Sequence, residues 1–239
     1  MGDIAVIGPI TGVVAAPVLG LLLAGGSLRL IYLALGVLSL VPLLRVPIFE
    51  AETTTRTKRV KGGARAAYAL VAALGVLTMG GSAVFVFTGV IAMNKGMSAT
   101  SFSLVLALNA AAGIPSSRWT GRRPISGVWL VITGIAAVGY VTASSQTLLF
   151  VILTVWGFSY WMGIPGAYAL LSERSYFPSE RAGDAQAVMA IGRIFGPVIG
   201  GLLVAESSLA LGLFGGGLMM LAGVAIVAIE LRSAPRSSQ

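Results

Sequence analysis

The sequence predicts an all-helical membrane protein with about eight transmembrane helices. Hydrophobic residues make up 56% of the 239 residues and charged residues only 10%, whereas a soluble domain carries about 25% charged residues. The mean hydropathy is +0.94. The long uncharged intervals do not alternate in polarity, so they predict helices rather than the short alternating strands of a membrane barrel. The basic residues also separate onto two sides of the predicted helices.

Uncharged intervals define the predicted spans in chain order. A helix needs about 20 residues to cross a hydrocarbon core that is about 30 Å thick. The 49-residue uncharged run 124–172 is long enough for two helices, and its central polar cluster 143–147 predicts the break between them. In order, the spans are 4–28, 30–48, 66–94, 96–117, the two parts of 124–172, 185–205 and 207–229.

The basic residues predict how these spans are oriented. Thirteen of the sixteen fall on one side, against Arg29 and Lys95 on the other side and Arg193 within a span. The positive-inside rule places the richer side in the cytoplasm. We therefore expect a multi-pass protein of the inner (plasma) membrane with a cytoplasmic C-terminus. The thirteen residues are Arg45, Arg56, Lys58, Arg59, Lys61, Arg65, Arg118, Arg122, Arg123, Arg174, Arg181, Arg232 and Arg236.

The composition also excludes several functional classes. Histidine and cysteine are both absent, which removes Ser-His catalysis, imidazole metal sites and disulfide frameworks. The spans contain no paired carboxylates, so we expect neither an enzyme nor a bound metal or cofactor. The net charge of +8 would suit a nucleic acid. Few basic residues interrupt the apolar runs, however, so the bilayer explains their placement and no nucleic-acid partner is expected.

An internal repeat relates the first predicted span to the seventh. Shifting the sequence by 180 residues places 12–23 on 192–203. The glycines and prolines that then coincide are Gly12 with Gly192, Pro17 with Pro197, and Gly20 with Gly200. A parallel duplication of this kind is typical of transporters built from two similar halves. The period covers six predicted spans, so two complete halves would need twelve.

Two motifs carry a resemblance to a known family. The seventh span follows the pattern G-x3-G-P-x2-G-G at Gly192, Gly196, Pro197, Gly200 and Gly201. The loop 116–124 reads SSRWTGRRP and contains Arg118, Gly121, Arg122 and Arg123, with Ser117 where the family pattern has an aspartate. In these stretches the chain resembles the major facilitator superfamily, particularly its drug-exporting antiporter branch. The resemblance implies that the eight spans are helices five to twelve of that twelve-helix bundle.

The resemblance also implies a division of the chain and a function. Residues 1–48 would hold the last two helices of the N-terminal half, 49–65 a basic cytoplasmic linker, 66–231 the six-helix C-terminal half and 232–239 a cytoplasmic tail. The implied protein is a secondary active transporter that exports small amphipathic molecules by alternating access. Its partners would be the lipid bilayer, a small-molecule substrate and a coupling ion. The alternative is a non-transporting membrane fragment or an interaction scaffold, and the DNA upstream of Met1 would discriminate between the two.

The glycines of the seventh span have a physical role of their own. Gly192, Gly196 and Gly200 repeat every four residues and form one helix face, where small residues let two helices approach closely in lipid. Pro197 lacks the N–H that would bond to the carbonyl of Arg193, which predicts a kink. Two interpretations remain open: tight packing around a static kink, or a pliable helix that closes a cavity during transport.

Arg193 is the candidate binding residue with the strongest physical argument. It lies nine residues after Asp184, which places it about 13 Å along the helix and near the middle of the membrane. A cation at that depth persists only in polar surroundings. Its side chain could extend back toward the cytoplasm, with Asp184 or Glu180 as partner, or it could face a cavity and bind anionic or polar groups of a substrate.

Three further residues are candidates for the lining of a substrate cavity. Trp156 and Tyr160 lie four residues apart and share one face of the sixth span. Both are predicted to lie deeper than the aromatic belt at the membrane surface. Asn109 is the only amide in the fourth span. For each of the three, packing between helices is the competing interpretation.

Overall fold

The computed structural model describes residues 63–119 and 125–232, together with five isolated positions in the first 40 residues. The first two predicted spans, nearly all of the linker and most of the C-terminal tail lie outside the described residues. So do Gly12, Pro17 and Gly20 of the repeat and Gly121, Arg122 and Arg123 of the loop motif. Arg118 lies in a described helix, but its side chain is outside the described part.

Every regular element of the described residues is a helix, so the all-helical prediction is confirmed for this part of the chain. In chain order these are α1 Gly63–Phe85, α2 Thr88–Asn94, α3 Ala99–Trp119, α4 Ser126–Thr142, α5 Gln146–Glu173, α6 Pro178–Glu206 and α7 Ser208–Leu231. Five helical segments are long and apolar enough to cross a membrane, and α1 and α2 together form one of them. The shorter helix α4 is also apolar.

Local sequence explains where most of these helices begin. Ser145 precedes α5 and accepts a hydrogen bond from the backbone N–H of Leu148 at 3.3 Å. Ser207 precedes α7 and accepts one from Leu209 at 3.1 Å. Such hydroxyl caps satisfy donors that the first helical turn leaves free. The break between α4 and α5 lies inside the polar cluster 143–147, where the sequence predicted it.

The break between α1 and α2 depends on tertiary structure instead. The two residues between these helices are the apolar Val86 and Phe87. The hydroxyl of Thr88 bonds back to the carbonyl of Phe85 at 2.7 Å. The buried hydroxyl of Tyr140, from α4, donates to the carbonyl of Thr88 at 3.0 Å. Tyr140, which is distant in sequence, therefore stabilises the bend. The bend gives α2 a different direction from α1.

The main helix contacts follow a two-fold pattern. Helix α1 packs against α6 and α7, helix α5 packs against α3 and α4, and α4 packs against α7. Exchanging α1 with α5, α3 with α6 and α4 with α7 converts this set of contacts into itself. The exchanged helices are three transmembrane spans apart along the chain, with α1 and α2 counted as one span. The main contacts of the described helices are thus symmetric between two groups of three, α1, α3, α4 and α5, α6, α7.

Glycines allow the closest of these contacts. A Cβ at Gly134 of α4 would lie 2.7 Å from the carbonyl oxygen of Gly216 on α7, and the converse distance is also 2.7 Å. Gly223 of α7 makes the same kind of approach to the carbonyl of Gly127, at 2.8 Å. Backbones this close gain dispersion contacts and short polar contacts that larger side chains would prevent. The pair α4–α7 is therefore held backbone to backbone.

Candidate substrate cavity

The glycine face of α6 packs directly on α1. Gly192, Gly196 and Gly200 are all buried. A Cβ at Gly192 would lie 2.6 Å from the carbonyl oxygen of Gly75, and one at Gly196 would overlap the hydroxyl oxygen of Ser82. This contact fixes how α6 is rotated about its axis and therefore which side of α6 its other residues occupy.

Pro197 lies within α6, which runs unbroken from Pro178 to Glu206. The hydroxyl of Ser82 on α1 donates to the carbonyl of Gly192 at 3.2 Å. That carbonyl is the neighbour of the Arg193 carbonyl, which is the one that loses its i+4 donor at Pro197. Gly201 is less tightly packed, with only the ring of Phe87 within 4 Å of its Cβ position, at 3.5 Å.

Arg193 lies beside this packed face and borders a cavity. Its side chain is exposed, and it lines a space of about 480 Å³ bounded by α1, α3, α5, α6 and α7. Asp184, one of the two partners considered from the sequence, forms an ion pair with Arg181 instead. Arg181 also lies over the ring of Tyr68, 4.4 Å from its centroid. The charges at the start of α6 therefore interact with each other and with α1.

The four residues singled out as cavity candidates come together at this one space. Arg193 lines it from α6, Trp156 and Tyr160 from α5, and Asn109 from α3. The opposite wall, from α1, carries Thr78 and Ser82. Their shared location is a geometric fact, and a role in binding substrate stays a prediction.

Asn109 has both of the roles considered for it. Its side-chain nitrogen donates to the carbonyl of Leu153 on α5 at 2.7 Å, and Gly157 of α5 packs against its backbone. This amide therefore joins α3 to α5 while it borders the cavity. Trp156 is buried and contacts the ring of Phe85 edge to face, with 5.8 Å between the ring centroids.

Tyr160 lies close to Arg193. Both residues line the cavity, and the phenol of Tyr160 is within interaction range of the guanidinium. The Tyr160 ring packs edge to face with Trp161 at 6.0 Å between centroids. The hydroxyl of Tyr168 contacts the sulfur of Met189 on α6 at 3.2 Å. The phenol and the guanidinium therefore occupy neighbouring positions of the cavity wall.

Thr78 and Ser82 were not identified from the sequence. They lie four residues apart on α1 and so share a face. This spacing was the one feature of the sequence that could have indicated a polar cavity wall. The hydroxyl of Thr78 bonds to the carbonyls of Leu74 and Gly75, each at 3.0 Å. Serine and threonine commonly bond to their own helix in this way, so their spacing alone does not distinguish a cavity wall from ordinary helix packing.

Two other charged side chains near the spans, Glu230 and Lys95, bind to the two ends of helix α4. Glu230 of α7 accepts hydrogen bonds from the backbone N–H groups of Ser126, at 2.8 Å, and Gly127, at 3.4 Å, at the start of α4. Lys95 donates to the carbonyl of Val141, at 2.9 Å, at the end of the same helix. Burial lowers the pKa of Lys95 below its usual value. Each end of α4 thus contacts a side chain whose charge is opposite to that end of the helix dipole: an acid at the N-terminus and a lysine at the C-terminus.

The described residues contain no group of three or more acidic, histidine or cysteine side chains that could hold a metal ion. No described acidic residue lines the cavity, so Arg193 is its one charged side chain among the described residues. Comparison with known protein families, with curated proteins and with solved structures finds no match to this chain. The function must therefore be argued from the cavity itself.

Proposed function

We propose that this chain is part of a secondary active transporter of the major facilitator type, corresponding to its helices five to twelve, which exports small amphipathic molecules by alternating access. In this proposal the protein has eight transmembrane helices in the inner (plasma) membrane, and its C-terminus is cytoplasmic. The observation that carries the proposal is the convergence of Asn109, Trp156, Tyr160 and Arg193, from three helices, on one cavity of about 480 Å³. That volume lies within the range of small-molecule sites, about 300–1,000 Å³.

The two-fold arrangement of the helices supports the proposal independently. Inverted three-helix units nested within a six-helix half are a feature of major facilitator transporters, and their substrate sites lie near the membrane midplane. The described contacts of α1 with α6 and of α5 with α3 correspond to each other in the exchange of helices given above. The cavity lies among these four helices, which is where such an arrangement would place a substrate.

The outer surface of α6 fits a second half in the same proposal. Ile194, Val198 and Leu202 are between 61% and 71% exposed and project from the side opposite the glycine face. In the transporter, this apolar surface would meet the other half or lipid. In this proposal the segment around Pro197 contacts α1 on one side, and that contact does not change. On its other side it contacts the second half, and that contact changes as the two halves move during transport.

Transport should be measured in everted membrane vesicles from cells that express the complete reading frame containing this chain. We expect saturable, gradient-dependent uptake of an amphipathic fluorescent compound, lowered about tenfold or more by Arg193→Ala, which removes a charge-assisted contact. Arg232→Ala is the matched control, because it removes an equal charge from an exposed position at the end of α7. Comparable membrane levels of each variant exclude a folding defect.

The same vesicles distinguish the alternative of a non-transporting fragment or interaction scaffold. If no amphipathic compound shows gradient-dependent flux through the wild-type protein, the transporter proposal is wrong. Flux that both arginine variants reduce equally would show that net charge, and not the cavity, determines the rate.

A further inference from the structure

The donors of the cavity are unequally available to a ligand. The hydroxyl of Thr78 donates to carbonyls of its own helix, at 3.0 Å. The hydroxyl of Ser82 bonds to the carbonyl of Gly192, at 3.2 Å. The side-chain nitrogen of Asn109 donates to Leu153 at 2.7 Å. These three polar side chains direct hydrogens at backbone carbonyls, and the bonds of Ser82 and Asn109 join neighbouring helices.

Arg193 retains more donor capacity than these neutral groups, of which Asn109 keeps a second amide N–H. A guanidinium has five N–H donors in a planar fork, and its interaction with the Tyr160 hydroxyl uses only part of them. The ion pair at the start of α6 joins Arg181 to Asp184 and does not include Arg193. The cavity therefore presents a cation with unused donors.

Described carboxylates lie too far along the helices to neutralise this cation. On α6 itself, Asp184 precedes Arg193 by nine residues and Glu206 follows it by thirteen. At 1.5 Å per residue these separations are about 13 Å and about 20 Å. Both are far longer than the N–O distance of about 4 Å or less that an ion pair requires. Glu230 is already occupied with the start of α4.

The remaining wall is apolar and aromatic. Leu77, Phe85, Val86 and Met219 line the cavity together with Trp156 and Trp161. Such a wall binds the hydrophobic body of a ligand by removing apolar area from water. It cannot solvate a charged group, so a charged part of the ligand must be placed at the one end where Arg193 and Tyr160 lie.

We infer that the cavity selects monoanionic amphipathic molecules, with an aromatic or aliphatic body against the α1–α5 wall and a carboxylate or sulfonate on Arg193. The inference rests on the proposed function, because it specifies the substrate class of the same site. A guanidinium fork matches the two oxygens of such a group. The Tyr160 hydroxyl is placed to donate a further hydrogen bond. A cationic molecule of the same shape is repelled by the same arginine.

Two dyes that differ only in the charged group test this inference. Anilinonaphthalene sulfonate carries the anion, and phenylnaphthylamine is the same ring system without the sulfonate. The full chain is placed in nanodiscs of uncharged phosphatidylcholine, and energy transfer from tryptophan to each dye is titrated, with protein-free nanodiscs subtracted. We expect the sulfonate dye to bind at least about tenfold more weakly to Arg193→Gln and Arg193→Ala. The neutral dye should change less than about twofold.

Two further variants complete the design. Arg193→Lys keeps the charge without the planar fork and should fall between wild type and Arg193→Gln. Arg232→Ala removes one positive charge outside the cavity and should bind both dyes like wild type. This control separates a contact at the cavity from a general effect of net charge.

The other possible results of the dye titrations contradict the inference, the anion preference or the proposed function. Unchanged sulfonate binding in Arg193→Gln overturns the inference, and so does an equal weakening of both dyes, since the charge is then not recognised. Wild-type protein that binds the neutral dye at least as tightly as the sulfonate dye overturns the anion preference but leaves a small-molecule cavity intact. Wild-type protein that binds neither dye saturably contradicts both the inference and the proposed function.

Discussion

Gly196 is the residue of α6 with the least space for a side chain. A Cβ there would overlap the hydroxyl oxygen of Ser82 and the carbonyl oxygen of Met79. The carbonyl belongs to the main chain of α1, so it cannot rotate away. The glycine spacing in the sequence predicted one packed face on α6, but the partner helix and the tightness of the contact required the three-dimensional arrangement.

We expect Gly196→Ala to destabilise the folded protein by about 1–3 kcal/mol, the usual cost of overpacking a close contact. Gly183→Ala is the matched control on the same helix, because nothing lies within 4 Å of its Cβ position. The measurement is the midpoint of thermal aggregation in detergent, followed by size-exclusion chromatography. A Gly196→Ala midpoint equal to that of Gly183→Ala would contradict the packing described for α6 and α1.

Individual site residues differ in how far the sequence could predict them. The sequence placed Arg193 nine residues after Asp184, which helix rise converts into about 13 Å along α6, and its depth in the membrane stays a prediction. Ser82 could not be identified, because its bond to the carbonyl of Gly192 joins residues 110 positions apart. Asn109 was assigned two competing roles, and its position between α3 and α5 lets it have both contacts.

Helix α4 shows how an element is stabilised by residues outside its own sequence. It begins after Ile125, which has a left-handed φ of 83° that is unfavourable for a β-branched residue. No local side chain caps its first turn, and the carboxylate of Glu230 accepts from Ser126 and Gly127 instead. The sequence showed Glu230 only as the charge that ends the last span, because its partners are more than a hundred residues away.

We expect Glu230→Ala to destabilise the protein by about 1–2 kcal/mol, since it leaves N–H groups at the start of α4 without an acceptor. Glu206→Ala removes the same charge from an exposed position at the end of α6 and serves as the control. Hydrogen exchange of the amides of Ser126 and Gly127 reports the effect locally. Equal exchange in both variants would show that Glu230 does not cap α4.

The boundaries of the helices are also determined partly by local sequence and partly by residues far away in the chain. The predicted span 66–94 agrees with the helical segment Arg65–Asn94, because charge ends it on both sides. Helix α6 begins at Pro178, earlier than the predicted span 185–205, since helices can extend beyond the apolar core into charged sequence. The bend after Phe85 had no signal in the sequence, because Tyr140 on another helix stabilises it.

Two relations between helices exist in the molecule as a whole. One is visible in the sequence, and the other is visible only in the contacts between helices. The shift of 180 residues, seen in the glycines and prolines, suggests two parallel halves. The exchange between α1, α3, α4 and α5, α6, α7 appears in the helix contacts. It joins residues far apart along the chain, so no local pattern in the sequence predicted it.

The membrane orientation predicted from the basic residues can be tested directly. Reporter fusions at Lys58 and Gly121 should show cytoplasmic activity, and a fusion at Ser145 should show activity outside, because the positive-inside rule predicts that the side with thirteen basic residues is cytoplasmic. Paired reporters that are active on opposite sides of the membrane control for expression. Reversed signals at Gly121 and Ser145 would invalidate the predicted topology.

The backbone contact between α4 and α7 limits how this protein can evolve. At Gly134 a Cβ would lie 2.7 Å from the carbonyl oxygen of Gly216, and at Gly216 it would lie 2.7 Å from the carbonyl oxygen of Gly134, in each case with a neighbouring side chain about as close. A clash between side chains can be relieved by a compensatory mutation that shortens the partner. A clash with a main-chain carbonyl has no such remedy, since every amino acid carries that atom. These two glycines should therefore resist genetic drift, while exposed residues of the same helices, such as Ile135 and Leu213, accumulate neutral apolar replacements.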